Sequence, residues 1–172
     1  TRANGTITLD GTMRNWPGIP AEVISGKRLV DGSSAGVLEA AFKTCWDEQH
    51  LYVNVNVIDD TPMQNTNTPE RIWSGDAVEL FIGGEKVDEG GALLFTDRQV
   101  LLKASAEGEP DKMFYLRNAP EQTKINVFVT PSEGGYTIQA AIPWQALNIT
   151  PREGVTFRFD LGVDDSADGS RR

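Results

Sequence analysis

The sequence predicts an all-β protein, an antiparallel β-sandwich of the jelly-roll or immunoglobulin-like kind, with about ten strands and one short helical turn. Two observations lead to this prediction. Apolar residues recur with the two-residue period of a strand, and helical periodicity is nearly absent. Turn-forming residues separate the apolar runs at short intervals, as in "DGSS" (31–34) and "SEGG" (132–135).

The individual strands are assigned from alternating or continuous apolar runs, taken in chain order. A tight turn at Glu48 and Gln49 joins two of them as a hairpin, and Pro143 opens the helical turn "PWQALN", because proline suits the first position of a helix. The predicted strands are 6–9, 21–24, 37–47, 50–59, 76–84, 92–104, 112–117, 124–130, 136–143 and 156–163.

Side-chain alternation predicts that several strands bury one face and present polar groups on the other. In strand 76–84, Val78, Leu80 and Ile82 share one face and Glu79 lies on the opposite face. A carboxylate in an apolar strand is costly without a partner, which here is a structural group, a metal or a ligand. A polar sheet face with an aromatic residue at its rim is also typical of sugar sites, since hydroxyls need hydrogen-bond partners and an aromatic ring stacks on the sugar's C–H face.

Composition limits the classes of function. The chain has 172 residues, 39% of them hydrophobic and 24% charged, which favours one globular domain. A net charge of −9 argues against a nucleic-acid partner, which needs clustered Lys and Arg. No apolar run approaches the ~20 residues of a membrane span. Cys45 and His50 are the only residues of their types, which excludes an intramolecular disulfide and a zinc site of Cys/His type, so Cys45 is predicted to be a small buried hydrophobe.

Five stretches resemble motifs of family 9 carbohydrate-binding modules. They occur in the family's order and cover nearly the whole chain. They are "ITLDGTMRNWPGIP" (7–20), "FKTCWDEQHLYVNVNVIDD" (42–60), "WSGDAVELFI" (73–82), "GGYTIQAAIPWQAL" (134–147) and "FDLGVDDSADGSRR" (159–172).

The resemblance implies a non-catalytic β-sandwich that binds sugars, often at the reducing ends of plant polysaccharides such as glucan or xylan. It also implies structural Ca²⁺, and a secreted, extracellular or periplasmic protein in which the module is linked to glycoside hydrolase or other domains. We therefore expect residues 1–172 to form a single carbohydrate-binding domain, cut from a larger protein or lacking its last strand.

The resemblance also assigns two sugar-binding residues. Trp73 corresponds to one wall of the family's aromatic clamp, and Glu79 to a carboxylate that hydrogen-bonds the sugar. The ligand hydroxyls would then be the partners that Glu79 requires. The other tryptophans, at motif positions that resemble core or turn residues, are predicted to pack structurally; they are Trp16, Trp46 and Trp144.

Three positions depart from the family pattern. A sugar-contacting arginine of the family falls at Leu101, and Arg98 is the nearby substitute that we assign to the site. A family glutamine falls at Gly162. The second clamp tryptophan would lie beyond Arg172. The fold is expected to tolerate these differences, whereas the sugar specificity does not follow from the resemblance.

Acidic pairs are the candidate metal ligands. Asp59–Asp60 and Asp164–Asp165, the latter with Asp168 nearby, each offer the carboxylate oxygens that Ca²⁺ prefers. Neither cluster has the spacing of an EF-hand loop. The alternative is that both are solvated loops.

Two other functions stay open from the sequence. One is a ligand-free structural spacer of the same fold, which the departures at Leu101 and Gly162 favour. The other is a b-type haem domain for electron transfer, whose axial ligands would come from Met63, Met113, Lys103 or Lys112, without a well-placed histidine. Enzyme activity has little support, because no carboxylate pair and no Ser/His/Asp order is marked out.

Overall fold

The computed structural model describes residues 1–25, 37–84, 93–108, 110–118 and 123–167. Strands account for most of its regular structure, with two short 3₁₀ helices at Pro69–Ser74 and Pro110–Lys112. The strands and the α-helix are β1 Glu22–Ser25, β2 Leu38–Trp46, β3 His50–Asp59, β4 Ala77–Gly83, β5 Arg98–Lys103, β6 Phe114–Arg117, β7 Asn126–Ser132, β8 Gly135–Pro143, α1 Trp144–Leu147 and β9 Arg158–Asp164.

The strands form two antiparallel sheets, which confirms the predicted sandwich. The five-stranded sheet has the order β1-β2-β3-β8-β7, and the four-stranded sheet has the order β6-β5-β4-β9. The core lies between them, where Val55 of β3 and Leu80 of β4 are fully buried. The predicted helical turn is confirmed as α1. No helix in the described part of the chain is long and apolar enough to cross a membrane.

The first twenty residues differ from the prediction, because 6–9 is not a strand. The backbone immediately after residue 9 forms hydrogen bonds instead with one side chain of β8, that of Gln139. The Gln139 amide oxygen accepts from the N–H groups of Asp10 (3.1 Å) and Gly11 (2.9 Å), and its nitrogen donates to the Thr12 carbonyl (2.9 Å). A buried amide satisfies this backbone in place of a neighbouring strand.

This N-terminal segment covers the outer face of the five-stranded sheet. Cys45 is 1% exposed beneath it and forms no disulfide, which confirms its predicted role as a buried hydrophobe. Trp16 and Tyr52 meet edge to face, with ring centroids 6.4 Å apart. The apolar residues of this second, smaller cluster are Ile7, Trp16, Cys45, Tyr52 and Ala141.

Asp47 organises the predicted hairpin between β2 and β3. Its carboxylate accepts from the N–H groups of Gln49 (2.8 Å) and His50 (2.7 Å) and from the Tyr52 hydroxyl (2.7 Å). Its carbonyl accepts from the Trp144 indole (2.8 Å), which ties α1 to this turn.

Strand β5 begins at Arg98, later than in the predicted strand 92–104, whose first residue lies outside the described part. Asp97 explains the late start. Its carboxylate accepts from the Leu94 N–H (2.9 Å) and pairs with the Arg158 guanidinium of β9 (2.9 Å), which closes a turn before the strand.

Candidate functional site

The outer face of the four-stranded sheet presents two rows of side chains across its strands. In the first row Glu79 of β4 is paired with Leu101 of β5, which is paired with Tyr115 of β6. In the second row Gln99 of β5 is paired with Arg117 of β6. Directly paired residues project to the same side of a sheet, so these five side chains share one face.

Trp73 stands at the end of this face, in the 3₁₀ helix Pro69–Ser74 that leads into β4. The side chain is half-buried and packs against a small cluster that includes Leu101. Its indole N–H donates to the Glu70 carbonyl (3.2 Å), and the Arg71 guanidinium lies 6.0 Å from the ring centroid. These contacts fix the orientation of the indole while leaving part of it exposed.

Trp73 and Glu79 are brought together in one groove of about 540 Å³. The groove offers carboxylate acceptors, guanidinium donors and an amide that does both, beside two aromatic rings. Its lining residues are Glu70, Trp73, Glu79, Gln99, Leu101, Tyr115 and Arg117.

Arg98 is not part of this groove, which corrects its assignment to the sugar site. It is paired with Ile82 and therefore faces the core side of the sheet, where it is 8% exposed. Its guanidinium donates to the carbonyls of Ala146 and Thr96, both at 3.0 Å. The guanidinium that does line the groove belongs to Arg117.

Sequence reasoning missed Gln99, Tyr115 and Arg117 as groove residues. A local signal existed, because Gln99 and Leu101 lie two residues apart in β5, and Tyr115 and Arg117 lie two residues apart in β6. That alternation shows which side chains share a face within one strand. It does not show that β6 lies beside β5 rather than elsewhere in the sandwich.

One residue of each predicted acidic pair, Asp59 and Asp165, lies in a single cluster with Asp76. Carboxylate oxygens of Asp59, Asp76 and Asp165 lie within 4.8 Å of one another. Asp164, the last residue of β9, is buried beside them, whereas Asp60 is exposed and is not in this group. Asp76 was missed because it stands alone in the sequence, immediately before β4.

Burial shapes the electrostatics of this cluster. Desolvation raises the pKa of Asp76 to about 6; hydrogen bonds from the N–H groups of Gln64 (2.6 Å) and Ser166 (2.8 Å) oppose the rise, and two neighbouring carboxylates add to it. The Tyr136 hydroxyl is buried near these carboxylates and has no hydrogen-bond partner among the described residues. Asp168 lies outside the described part.

Three of the four residues considered for a haem site, Met63, Met113 and Lys103, are packed or hydrogen-bonded within the fold. Met63 packs against the main core, and Met113 is 7% exposed. The Lys103 ammonium donates to the Asn67 carbonyl (2.8 Å), and Lys112 is exposed at the end of the second 3₁₀ helix.

A second concavity, of about 370 Å³, opens near the N-terminus. Trp46, Trp144 and Phe157 contribute to its walls. The Arg2 guanidinium lies over the Trp46 ring, 5.6 Å from its centroid. Trp144 and Trp16 are 5% and 6% exposed, which confirms that both pack structurally.

The chain is similar to parts of several curated xylanases. It is 28% identical over 173 residues to endo-1,4-beta-xylanase A of Thermotoga maritima, with all of the chain and 15% of the xylanase covered. It is 31% identical to endo-1,4-beta-xylanase C of Paenibacillus barcinonensis, with 97% of the chain and 14% of that protein covered. The chain therefore spans about 15% of the length of the curated relatives that it matches.

Solved structures share the fold. A family 9 carbohydrate-binding module from Caldicellulosiruptor kristjanssonii in complex with cellotriose superposes with a TM-score of 0.73 at 19% identity, covering 99% of this chain and 79% of that one. A family 9 module from the same organism in complex with glucose superposes with a TM-score of 0.72 at 19% identity, covering 99% of this chain and 80% of that one. The model of the family described as "carbohydrate family 9 binding domain-like" matches residues 9–172, nearly the whole chain. The chain therefore belongs to the family 9 carbohydrate-binding domains.

Proposed function

We propose that the groove between Trp73 and Arg117 binds a carbohydrate and that this domain is a non-catalytic binding module. The observation that supports this best is the placement of a half-buried indole beside Glu79, Gln99 and Arg117 in one groove. An aromatic ring next to convergent hydrogen-bonding groups matches a sugar, which has an apolar C–H face and a rim of hydroxyls.

Each groove residue has a distinct part in this binding. Trp73 stacks on the pyranose ring, and burying its face contributes on the order of 1–3 kcal/mol. Glu79 accepts hydrogen bonds from hydroxyls, and Arg117 donates to hydroxyl or ring oxygens; bonds to such charged groups contribute about 1.5–3 kcal/mol each. Gln99, between them, offers both a donor and an acceptor.

The proposed ligand is a chain end of a plant-type polysaccharide, glucan or xylan, or one of its oligosaccharides. The structural neighbours were solved with cellotriose and glucose, and the curated relatives are xylanases. Because the chain spans about 15% of those relatives, we propose that catalytic or other domains are linked to it in a secreted protein.

We also propose that Asp59, Asp76 and Asp165 hold a structural Ca²⁺. Three carboxylates so close together, one of them fully buried, repel one another unless a cation or a proton is present. The Tyr136 hydroxyl, buried near these carboxylates and without a hydrogen-bond partner among the described residues, supports this proposal independently. Bound Ca²⁺ would supply charge compensation and join the end of β3 to the start of β4 and the segment after β9.

A calorimetric titration panel tests the carbohydrate proposal. Glucose, cellobiose, xylobiose and their alditols are titrated into the purified domain. Binding of the sugars but not of the alditols would establish recognition of reducing ends. No detectable binding of any of these sugars would favour the structural spacer. A Soret absorption band at ~420 nm in the pure protein would favour the haem domain.

A further inference from the structure

The segment 64–76, which includes Trp73, is closed at its base by paired hydrogen bonds. The Gln64 N–H donates to the Asp76 carboxylate (2.6 Å), and the Asp76 N–H donates to the Gln64 carbonyl (3.1 Å). The segment is therefore a loop with fixed ends, and what fills its interior determines where the 3₁₀ helix Pro69–Ser74 lies.

Asn65 fills that interior. Its side chain is 4% exposed and uses its full hydrogen-bonding capacity within the loop. The amide nitrogen donates to the carbonyls of Ile72 (2.8 Å) and Asp76 (2.9 Å). The amide oxygen accepts from the N–H (3.1 Å) and from the side-chain nitrogen (3.2 Å) of Asn67.

Gly75 leaves room for this amide. A Cβ at position 75 would lie 2.7 Å from the Asn65 Cγ. The backbone itself does not demand glycine, because its φ is −132°. The conflict at position 75 is therefore with the Asn65 side chain.

We propose that Asn65 is a positioning residue of the sugar site, which it does not line. It holds the Ile72 carbonyl, one residue before Trp73, and so fixes the indole against Leu101 before a ligand arrives. Because the indole is ordered before the ligand binds, the binding free energy does not include the entropy cost of ordering it. This inference rests on the proposed carbohydrate function of the groove.

The test compares cellobiose affinity and Trp73 fluorescence in four proteins: the parent, Asn65→Ala, Gly75→Ala and the double variant. Trp73 emission is isolated as the difference between each protein and the same protein with Trp73→Phe. Asn126→Ala, an exposed asparagine on β7, is the matched control.

We expect Asn65→Ala to weaken binding by about tenfold, since a buried network loses its centre, and to shift Trp73 emission to longer wavelength. Gly75→Ala should do the same by displacing the amide. In the double variant the new methyl group occupies space that Asn65 has vacated. The double variant should therefore lose no more cellobiose affinity than either single variant does, so the two effects are strongly non-additive.

Two results would overturn the proposal. One is parent-like affinity and parent-like Trp73 emission in Asn65→Ala, even with a lower melting temperature, since Asn65 would then be structural only. The other is full additivity in the double variant. If the parent binds no sugar, the carbohydrate proposal fails by itself, and the Trp73 emission of Asn65→Ala still decides whether Asn65 positions the indole.

Discussion

Gln99 and Arg117 face each other across the antiparallel ladder of β5 and β6, and both side chains line the groove that begins at Trp73. Strand β6 is an edge of its sheet, and Arg117 is exposed there. The pairing of β5 with β6 therefore supplies the groove with the Arg117 guanidinium, whereas Leu101, in the other row of the same face, has an apolar side chain.

Arg117→Ala should weaken cellobiose binding by about tenfold, because a charge-assisted hydrogen bond is lost. The melting temperature should change little, since the side chain is exposed. Calorimetry measures the affinity. The control is Arg14→Ala, an exposed arginine outside the groove. Equal losses in the two variants would indicate a general effect of charge.

Trp73→Ala should weaken binding by roughly tenfold or more, because the stacking surface is removed. Glu79→Gln should also weaken binding while keeping the fold, since the amide has the same size but loses one acceptor. Paired calorimetry and thermal melts measure both effects. If Trp73→Ala cost several kcal/mol of stability and left affinity unchanged, the indole would be a core residue.

Millimolar Ca²⁺ should raise the melting temperature relative to EDTA. A ligand that binds only the folded state stabilises it by roughly 2.7 kcal/mol at a hundredfold excess over Kd. Asp59→Asn should abolish the rise, whereas Asp60→Asn, at the exposed neighbour outside the cluster, should keep it. Identical melting curves of the parent in EDTA and in Ca²⁺ would refute the metal site.

Asp47→Asn should destabilise the domain at pH 7 and much less at low pH. Burial raises the pKa of Asp47, but hydrogen bonds from Tyr52, Gln49 and His50 outweigh it, so the net pKa is lowered. A carboxyl with a lowered folded-state pKa stabilises above its unfolded pKa of about 3.9, and this stability is lost as the pH falls through the folded value.

Urea unfolding at pH 7 and at acid pH measures this difference in the free energy of unfolding. Asp111→Asn is the control, because its ion pair with Lys124 is exposed at 3.3 Å and contributes little. A loss in Asp47→Asn that is the same at both pH values would contradict the assigned role of the carboxylate.

Cys45 should resist thiol reagents in the folded protein at pH 8. Burial raises its pKa to about 12, so the reactive thiolate is scarce, and the side chain is 1% exposed. Labelling with an aromatic disulfide should reach one thiol per chain only after denaturation. Rapid labelling of the native domain would show that the N-terminal segment opens readily.

What the sequence determined is mostly local. Alternation in β4 placed Glu79 opposite Val78 and Leu80, and the structure agrees, because successive side chains of a strand must point to opposite faces. The hairpin between β2 and β3 and the helix α1 were also predictable. Their signals, a turn after Asp47 and a proline before Trp144, lie within a few residues of the elements that they define.

The tertiary structure decided which strands are neighbours and in which register they pair. The pairing of β5 with β4 sets Arg98 beside Ile82 on the core side, whereas the pairing of β6 with β5 sets Arg117 beside Gln99 in the groove. Likewise Asp76 meets Asp59 and Asp165 only after the sandwich closes. Strand order and register are set by packing between distant segments, and no short window of sequence contains that information.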